Sequence, residues 1–150
     1  MSFPTQILPA HHRHCDDLFV AAEEAVGRGD WTAAASAFDR FHAQMLAHFA
    51  AEEDLLFPAF ETAAGSSSGP TRVMRLEHEQ MRPLLAQLGA ACAARDGEDY
   101  AGVAETLLIL MQQHNMKEEN ILYPMCDQAL GPEAERIAAQ MGALLEQGHA

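Results

Sequence analysis

Residues 48–58 read HFAAEEDLLFP and residues 114–124 read HNMKEENILYP, and this pair of stretches decides the fold. Five of their eleven aligned positions are identical, where unrelated stretches of ordinary composition share about one. The same offset of 66 residues aligns residues 12–19 with residues 78–85, which share a histidine and three apolar positions. The economical interpretation is a duplicated helical hairpin whose two copies are related by a pseudo-two-fold axis.

The rest of the chain is also typical of helices. Long stretches rich in Ala, Leu, Met and Glu are separated by glycine and proline, and apolar residues recur at steps of three and four. The predicted helices run from about Pro9 to Gly27, from a cap at Asp30 or Thr32 to Gly65, from near Pro70 to before Gly97, from there to Leu130, and from Pro132 to about Gln147.

Short connections between these helices favour antiparallel neighbours. The predicted fold class is therefore all-α, an up-down-up-down four-helix bundle with a short fifth helix at the C-terminus. We expect a single domain over residues 1–150, with the bundle at about 9–130 and the last helix at about 132–147.

Composition restricts the possible partners. With 9 Lys and Arg against 22 Asp and Glu, the formal net charge is −13, and such a field repels nucleic acids and anionic membrane surfaces. The first residues lack the features of a signal peptide, and no stretch is long and apolar enough to span a bilayer. We therefore expect a cytoplasmic protein that binds neither nucleic acid nor membranes. Three widely spaced cysteines argue against a disulfide framework and favour buried thiols.

The repeated motif places a histidine and a glutamate four residues apart on one helix. Such residues are separated by only about 40° of rotation and about 6 Å of rise. His48 and Glu52 therefore point into one space, as do His114 and Glu118. Apolar residues three or four positions before and after each pair lie on the same face of the helix. Both pairs are therefore expected to face the interior of the bundle.

These buried polar groups indicate metal binding. Carboxylates and imidazoles buried without partners would destabilise the fold by several kcal/mol per charge, whereas bound cations turn them into ligands. Nitrogen and oxygen donors without thiolate suit iron or manganese better than structural zinc. Two carboxylates among four histidines suit a pair of metal ions that both carboxylates bridge.

The order of these residues resembles that of the hemerythrin-like, or HHE cation-binding, domain. The pattern is a histidine at 12, His-x-x-x-Glu-Glu-x-x-Leu-Phe-Pro at 48–58, Glu-His at 77–78 and His-x-x-x-Glu-Glu-x-x-Leu-Tyr-Pro at 114–124. The resemblance covers the four helices of the bundle. It implies a non-heme di-iron centre, bridged by carboxylates and an oxo or hydroxo group, that binds or reacts with oxygen, nitric oxide or peroxide. The iron ligands that it implies are His12, His48, His78 and His114, with Glu52 and Glu118 as bridging carboxylates.

The chain departs from the oxygen-carrying hemerythrins on the third helix. Those carriers have a His-x-x-x-His pair there, but this chain has Arg82 at the second position. Their fourth helix commonly places the bridging acid five residues after its histidine, which makes Glu119 the alternative to Glu118. In having fewer protein ligands, the chain resembles the regulatory and stress-linked members of the family. Either another residue completes the centre, or the centre keeps exchangeable positions that permit redox chemistry. The candidates for an extra ligand are Asp16, His11 and Tyr123.

The remaining histidines have simpler interpretations. His11, His12 and His14 share one turn, of which only one can face the core fully, and the 66-residue offset selects His12. His42 is expected to be solvated, and His149 lies in the C-terminal tail.

Residues around the motifs are interpreted in the same way. Glu53 and Glu119 are either hydrogen-bond acceptors next to the ligands, or ordinary acids on the helix surface or partners in helix capping. Pro58 and Pro124 should kink the second and fourth helices at matching heights, because each removes a helical hydrogen bond. Methionines three residues from the motif histidines are predicted to fill the core: Met45, Met81 and Met111.

These features predict a protein that binds or senses oxygen, nitric oxide or a related small oxidant. The alternatives are a di-iron enzyme that reduces peroxide or scavenges nitric oxide, and a protein for iron storage or delivery. Ferritin-like bundles use Glu-x-x-His motifs on two helices, but that spacing occurs here only between Glu146 and His149. The expected partners are a small diatomic ligand or peroxide, and a protein partner or a second copy of the chain.

Overall fold

Residues 3–66 and 69–147, which the computed structural model describes, are almost all helical and contain no strand. The helices are α1 (Pro4–Gly27), α2 (Trp31–Ala50), α3 (Phe57–Ala64), α4 (Pro70–Ala93), α5 (Gly97–Lys117), α6 (Tyr123–Leu130) and α7 (Ala134–Gln147). A π-helical turn, Ala51–Leu56, joins α2 to α3, and another, Glu118–Leu122, joins α5 to α6, so each pair forms one long helix. The four long helices form the predicted up-down-up-down bundle, and α7 is the fifth helix after a 3-10 turn, Gly131–Glu133.

The duplication extends to the turn inside each hairpin. Asp30 caps α2 by accepting a hydrogen bond from the backbone N–H of Ala33. Asp96, 66 residues later, accepts the same bond from Asp99 at the start of α5. The predicted cap of the second helix is thus Asp30, and each hairpin begins its second helix in the same way.

The first helix starts earlier than the sequence indicated. It begins at Pro4 rather than near Pro9, which lies inside the helix, so the bundle starts at residue 4 rather than about 9. Leu8 is fully buried, and the hydroxyl of Thr5 donates to the carboxylate of Asp127 on α6. These tertiary contacts hold the first turns in the helix despite the hydrogen bond lost at Pro9.

Two apolar clusters fill the bundle, one on each side of a polar layer. Each long helix contributes to both clusters. On α1, for example, Leu8 belongs to one cluster and Cys15 to the other, with His12 between them. The helix α7 packs into the Leu8 cluster through Ile137 and Met141.

The predicted core fillers are buried. The three methionines beside the motif histidines lie in the same cluster as Cys15, and all three cysteines are buried and free. Among the described residues, no helix combines the length with the apolar character that a membrane crossing requires.

Candidate metal centre

The polar layer brings together the six side chains that the sequence motifs singled out. They come from α1, α2, α4, α5 and both π-helical turns: His12, His48, Glu52, His78, His114 and Glu118. All six are buried. Their ligand-type atoms form two groups, in each of which the atoms lie within 4.8 Å of one another: Glu52 with His78, His114 and Glu118, and His12 with His48 and Glu118.

The two glutamates occupy π-helical turns that precede prolines. Pro58 has no backbone N–H, and its ring would clash with the carbonyl four residues back in a regular α-helix. The turn before it is widened, and the N–H of Phe57 donates to the carbonyl of Glu52, five residues back. The second π-helical turn repeats this bond from Tyr123 to Glu118. Where the sequence predicted kinks, the structure therefore has widened turns, which are frequent at functional sites.

Several ligand-type atoms at the centre have no hydrogen-bond partner. They are Glu52 Oε1, His78 Nε2, His114 Nε2 and Glu118 Oε2. His78 Nε2 lies 3.0 Å from Glu52 Oε1, but the two atoms are not oriented for a hydrogen bond. Buried polar atoms are nearly always paired in folded proteins. A cluster of unpaired nitrogens and oxygens that face one another fits a cation between them better than a self-contained network.

Two of the histidines are held from outside by repeat-related glutamates. His78 Nδ1 lies 2.6 Å from Glu53 Oε2. His12 Nδ1 lies 2.7 Å from Glu119 Oε2. An Nδ1–H that donates outward leaves Nε2 free to face the centre. Of the two interpretations given for these glutamates, the structure supports that of hydrogen-bond acceptors.

The other two histidines have partners that sequence reasoning did not assign. His114 Nδ1 lies 2.8 Å from Glu77 Oε1. His48 Nδ1 lies 2.8 Å from His11 Nδ1, and His11 Nε2 lies 2.7 Å from Gln44 Oε1. The 66-residue offset relates positions 11 and 77, but it does not indicate that either residue contacts a histidine on a neighbouring helix.

The expectation that only one of His11, His12 and His14 faces the core fully is wrong. His11 and His12 are 7% and 5% exposed, respectively. Both rings contact His48 on α2, with centroid distances of 5.1 Å for His11 and 4.5 Å for His12, and His12 also contacts Glu118 in the second π-helical turn. A helix that packs between two others can bury both of two adjacent residues.

Tyr123 places its hydroxyl at the middle of the cluster. The oxygen lies 2.7 Å from Glu52 Oε2 and 2.8 Å from Glu118 Oε1. It also lies 3.2 Å from His12 Nε2 and 3.4 Å from His48 Nε2. Its single proton can therefore be donated to either carboxylate.

The other candidates for an extra ligand lie away from the centre. Asp16 is exposed, and His11 lies behind His48, on the side of the ring opposite Nε2. His42 is partly buried beside the ring of Phe38. His149 lies outside the described residues.

Arg82 occupies the position at which the oxygen carriers have a fifth histidine, and its side chain contacts residues outside the cluster. Arg82 donates to Glu53 Oε1 at 2.8 Å and lies over the ring of Phe49, 5.1 Å from its centroid. Phe49 itself stacks on His78 with ring centroids 4.1 Å apart. Arg82 thus holds Glu53, the partner of His78, and packs on Phe49, whose ring covers one face of His78.

Neighbouring carboxylates favour the protonated form of two histidines at the centre. Burial lowers the pKa of His48, but the charges of Glu52 and Glu118 outweigh it and raise this pKa to about 10. The pKa of His114 is raised to about 9 for the same reason, with Glu118 as the dominant charge. Burial acts against the ionised form of Glu118, yet His114 and neighbouring hydrogen bonds hold its pKa well below the usual value. Burial also raises the pKa of Tyr123 well above its usual value.

A family model matches most of the chain. The model of the hemerythrin HHE cation-binding domain covers residues 4–126, which include all six clustered side chains. No curated protein and no solved structure matches the chain.

Proposed function

Because the chain belongs to the hemerythrin HHE cation-binding family, we propose that its centre holds two iron ions and binds or senses oxygen, nitric oxide or a related small oxidant. The observation that carries this proposal is the set of unpaired, buried ligand atoms that face one another. The proposed iron ligands are His12, His48, His78 and His114, and the proposed shared carboxylates are Glu52 and Glu118.

The chemistry of the donor set supports iron. Imidazole nitrogens and carboxylate oxygens without thiolate suit iron, and no cysteine belongs to either group of candidate ligands among the described residues. Glu118 belongs to both groups, which is the position that a carboxylate between two ions requires. Bound iron would supply electron transfer and open coordination positions for small oxidants.

The surrounding residues support binding of a small molecule. Outward hydrogen bonds orient the imidazoles, and Phe49 excludes water from one side of His78. A surface groove of about 360 Å³ is lined by His12 and Glu119. A diatomic molecule therefore has a route to the outer side of His12.

Reduction of peroxide is a second candidate function, which the hydroxyl of Tyr123 favours. Peroxide consumes two protons and two electrons when it is reduced to two water molecules. Tyr123 holds a proton between Glu52 and Glu118, within reach of any species at the centre. An external reductant would have to supply the electrons.

Exposure of anaerobically prepared ferrous protein to oxygen and nitric oxide tests the proposal. We expect visible absorption changes that saturate with gas concentration and that are absent from a Glu52→Ala/Glu118→Ala control. A stable, reversible band with oxygen indicates oxygen binding, whereas direct oxidation without that band indicates sensing or catalysis. Multiple turnovers of peroxide, with a reductant present, would identify the enzyme. A loaded protein that responds to none of these molecules contradicts the proposed function.

A further inference from the structure

The two hairpins differ in the residue that contacts the outer ring nitrogen, Nδ1, of one histidine in each. The repeat relates His48 to His114 and position 11 to position 77. Glu77 lies 2.8 Å from Nδ1 of His114, and His11 lies 2.8 Å from Nδ1 of His48. The distances are equal, so both partners orient their histidine equally well. What differs is the charge of the acceptor, a carboxylate in one copy and an imidazole in the other.

The hydrogen-bond chain behind His48 makes its partner a neutral acceptor. To bind a metal ion through Nε2, His48 must carry its proton on Nδ1 and donate it to Nδ1 of His11. The proton of His11 then lies on Nε2, 2.7 Å from the side-chain oxygen of Gln44. This arrangement satisfies every ring nitrogen of His11 without a charge.

The supporting residues change together with position 11. Gln44, which holds His11, corresponds to Leu110 in the second hairpin. Lys117, which pairs with Glu77, corresponds to Ala51 in the first hairpin. Each acceptor therefore has a partner suited to its own chemistry, and the partner is absent from the other copy. The half-site of His12 and His48 and the half-site of His78 and His114 therefore differ in residues that depend on one another.

A second difference lies on the same side of the centre. Tyr123 and Phe57 are related by the repeat, and they stack on His12 and His78 respectively with equal centroid distances of 5.8 Å. Only Tyr123 brings a hydroxyl, 3.2 Å from His12 Nε2 and 3.4 Å from His48 Nε2. The first hairpin's two histidine nitrogens therefore have a hydroxyl beside them that the second hairpin lacks.

We propose that the two metal positions are unequal, with the position between His78 and His114 binding its ion first and more tightly. The position between His12 and His48 is the exchangeable one, and His11 is the positioning residue that sets the difference. This inference rests on the proposed two-metal function. A carboxylate on the outer N–H makes an imidazole a stronger ligand than a neutral acceptor does, and such outer partners change metal affinity by about 10–100-fold.

Two surface grooves border the part of the centre that contains His12 and His48. A groove of about 390 Å³ between α1 and α7 is lined by His11 and His14. The groove at His12 and Glu119 opens on the other flank of the same half-site. The outer residues behind His48 and His12, which are His11 and Glu119, therefore border surface grooves.

Anaerobic titration of the metal-free protein with Co(II), followed by visible absorption and by NMR of the shifted ring N–H protons, tests the inference. The variant His11→Glu introduces the missing carboxylate, His11→Gln keeps a neutral acceptor, and Glu77→Gln removes the carboxylate of the other copy. We expect two stepwise binding constants in the native protein. The ratio of the two should fall by about 10-fold or more in His11→Glu, fall in Glu77→Gln, and stay unchanged in His11→Gln.

The NMR signals identify which position fills first. Glu77→Gln should alter a signal that is present at one equivalent of Co(II), and His11→Gln only a signal that appears with the second. Unchanged ratios in both His11→Glu and Glu77→Gln, with two ions still bound, would overturn the inequality and leave the proposed function intact. If His11→Glu fails to fold, Glu77→Gln alone decides in the same way. A native protein that binds fewer than two ions contradicts the proposed function itself.

Discussion

His78 Nδ1 lies 2.6 Å from Oε2 of Glu53, so a carboxylate holds the outer edge of this imidazole. Partial burial acts to raise the pKa of Glu53, but hydrogen bonds to His78 and Arg82 outweigh it and lower this pKa to about 2. The carboxylate is therefore ionised at neutral pH. It fixes both the orientation of the ring and the proton on Nδ1, which leaves Nε2 for the centre.

Replacement of this carboxylate by an amide should weaken metal binding. In Glu53→Gln we expect the affinity for the first metal ion to fall by about 10–100-fold while the protein stays folded, because the amide accepts a weaker hydrogen bond from His78. Competition with a chromogenic chelator measures the affinity. The matched control is Glu79→Gln, which changes an exposed acid next to His78 and should leave the affinity unchanged. Equal affinities in the two variants would show that the contact with Glu53 does not act on the metal.

Removal of the hydroxyl at the middle of the cluster should destabilise the metal-free protein. In Tyr123→Phe, the carboxylates of Glu52 and Glu118 lose a buried donor, and we expect the free energy of unfolding to fall by about 1–3 kcal/mol. Urea denaturation of chelator-treated protein measures it. Tyr100→Phe is the matched control, since the hydroxyl of Tyr100 is buried without a partner and its removal should cost nothing. An equal loss in both variants would contradict the role given to Tyr123.

The stability of the metal-free protein should reach its maximum near pH 6.5. The pKa values of His48 and His114 are raised to about 10 and about 9 from 6.5, so their contribution is complete below pH 6.5 and is lost as the pH rises through 9 to 10. The pKa of His11 is lowered to about 4, by burial above all, so this residue reduces stability below pH 6.5. The lowered pKa of Glu118 adds stability that is lost in acid.

Bound metal should reverse the fall in stability that the metal-free protein shows at alkaline pH. A metal ion displaces the protons from His48 and His114, so the metal binds more tightly as the pH rises. Thermal unfolding from pH 5 to pH 10, with and without metal, measures both curves, and proton release on binding can be recorded in weakly buffered solution. Metal-free protein that becomes more stable between pH 7 and pH 9 would contradict the protonated state assigned to the centre.

The residues that cluster in the polar layer could be selected from the sequence because they are linked by periodicity. A spacing of four residues puts His48 and Glu52 on one face, and a 66-residue offset finds their counterparts, so no knowledge of packing is needed. The contacts of Glu77 and Gln44 with histidines on other helices depend on how the helices are aligned against one another, which local patterns do not encode. Pro58 signalled a disturbed helix, but only the packed structure determines whether the helix bends or widens into a π-helical turn.

The early start of the first helix shows the same limit. Pro9 is a reasonable first-turn residue by its local chemistry. The turns before it are helical because Leu8 is buried and Thr5 contacts Asp127, 122 residues away in the sequence. Tertiary contacts of this kind are invisible to a window of local sequence.

Anomalous diffraction at the iron edge, from crystals of anaerobically ferrous-loaded protein, tests the central claim most directly. We predict two iron peaks inside the bundle, one between His12 and His48 and one between His78 and His114, with Glu52 and Glu118 next to both. A map without iron at these histidines, or with a single ion in the cluster at saturating iron, would contradict the account.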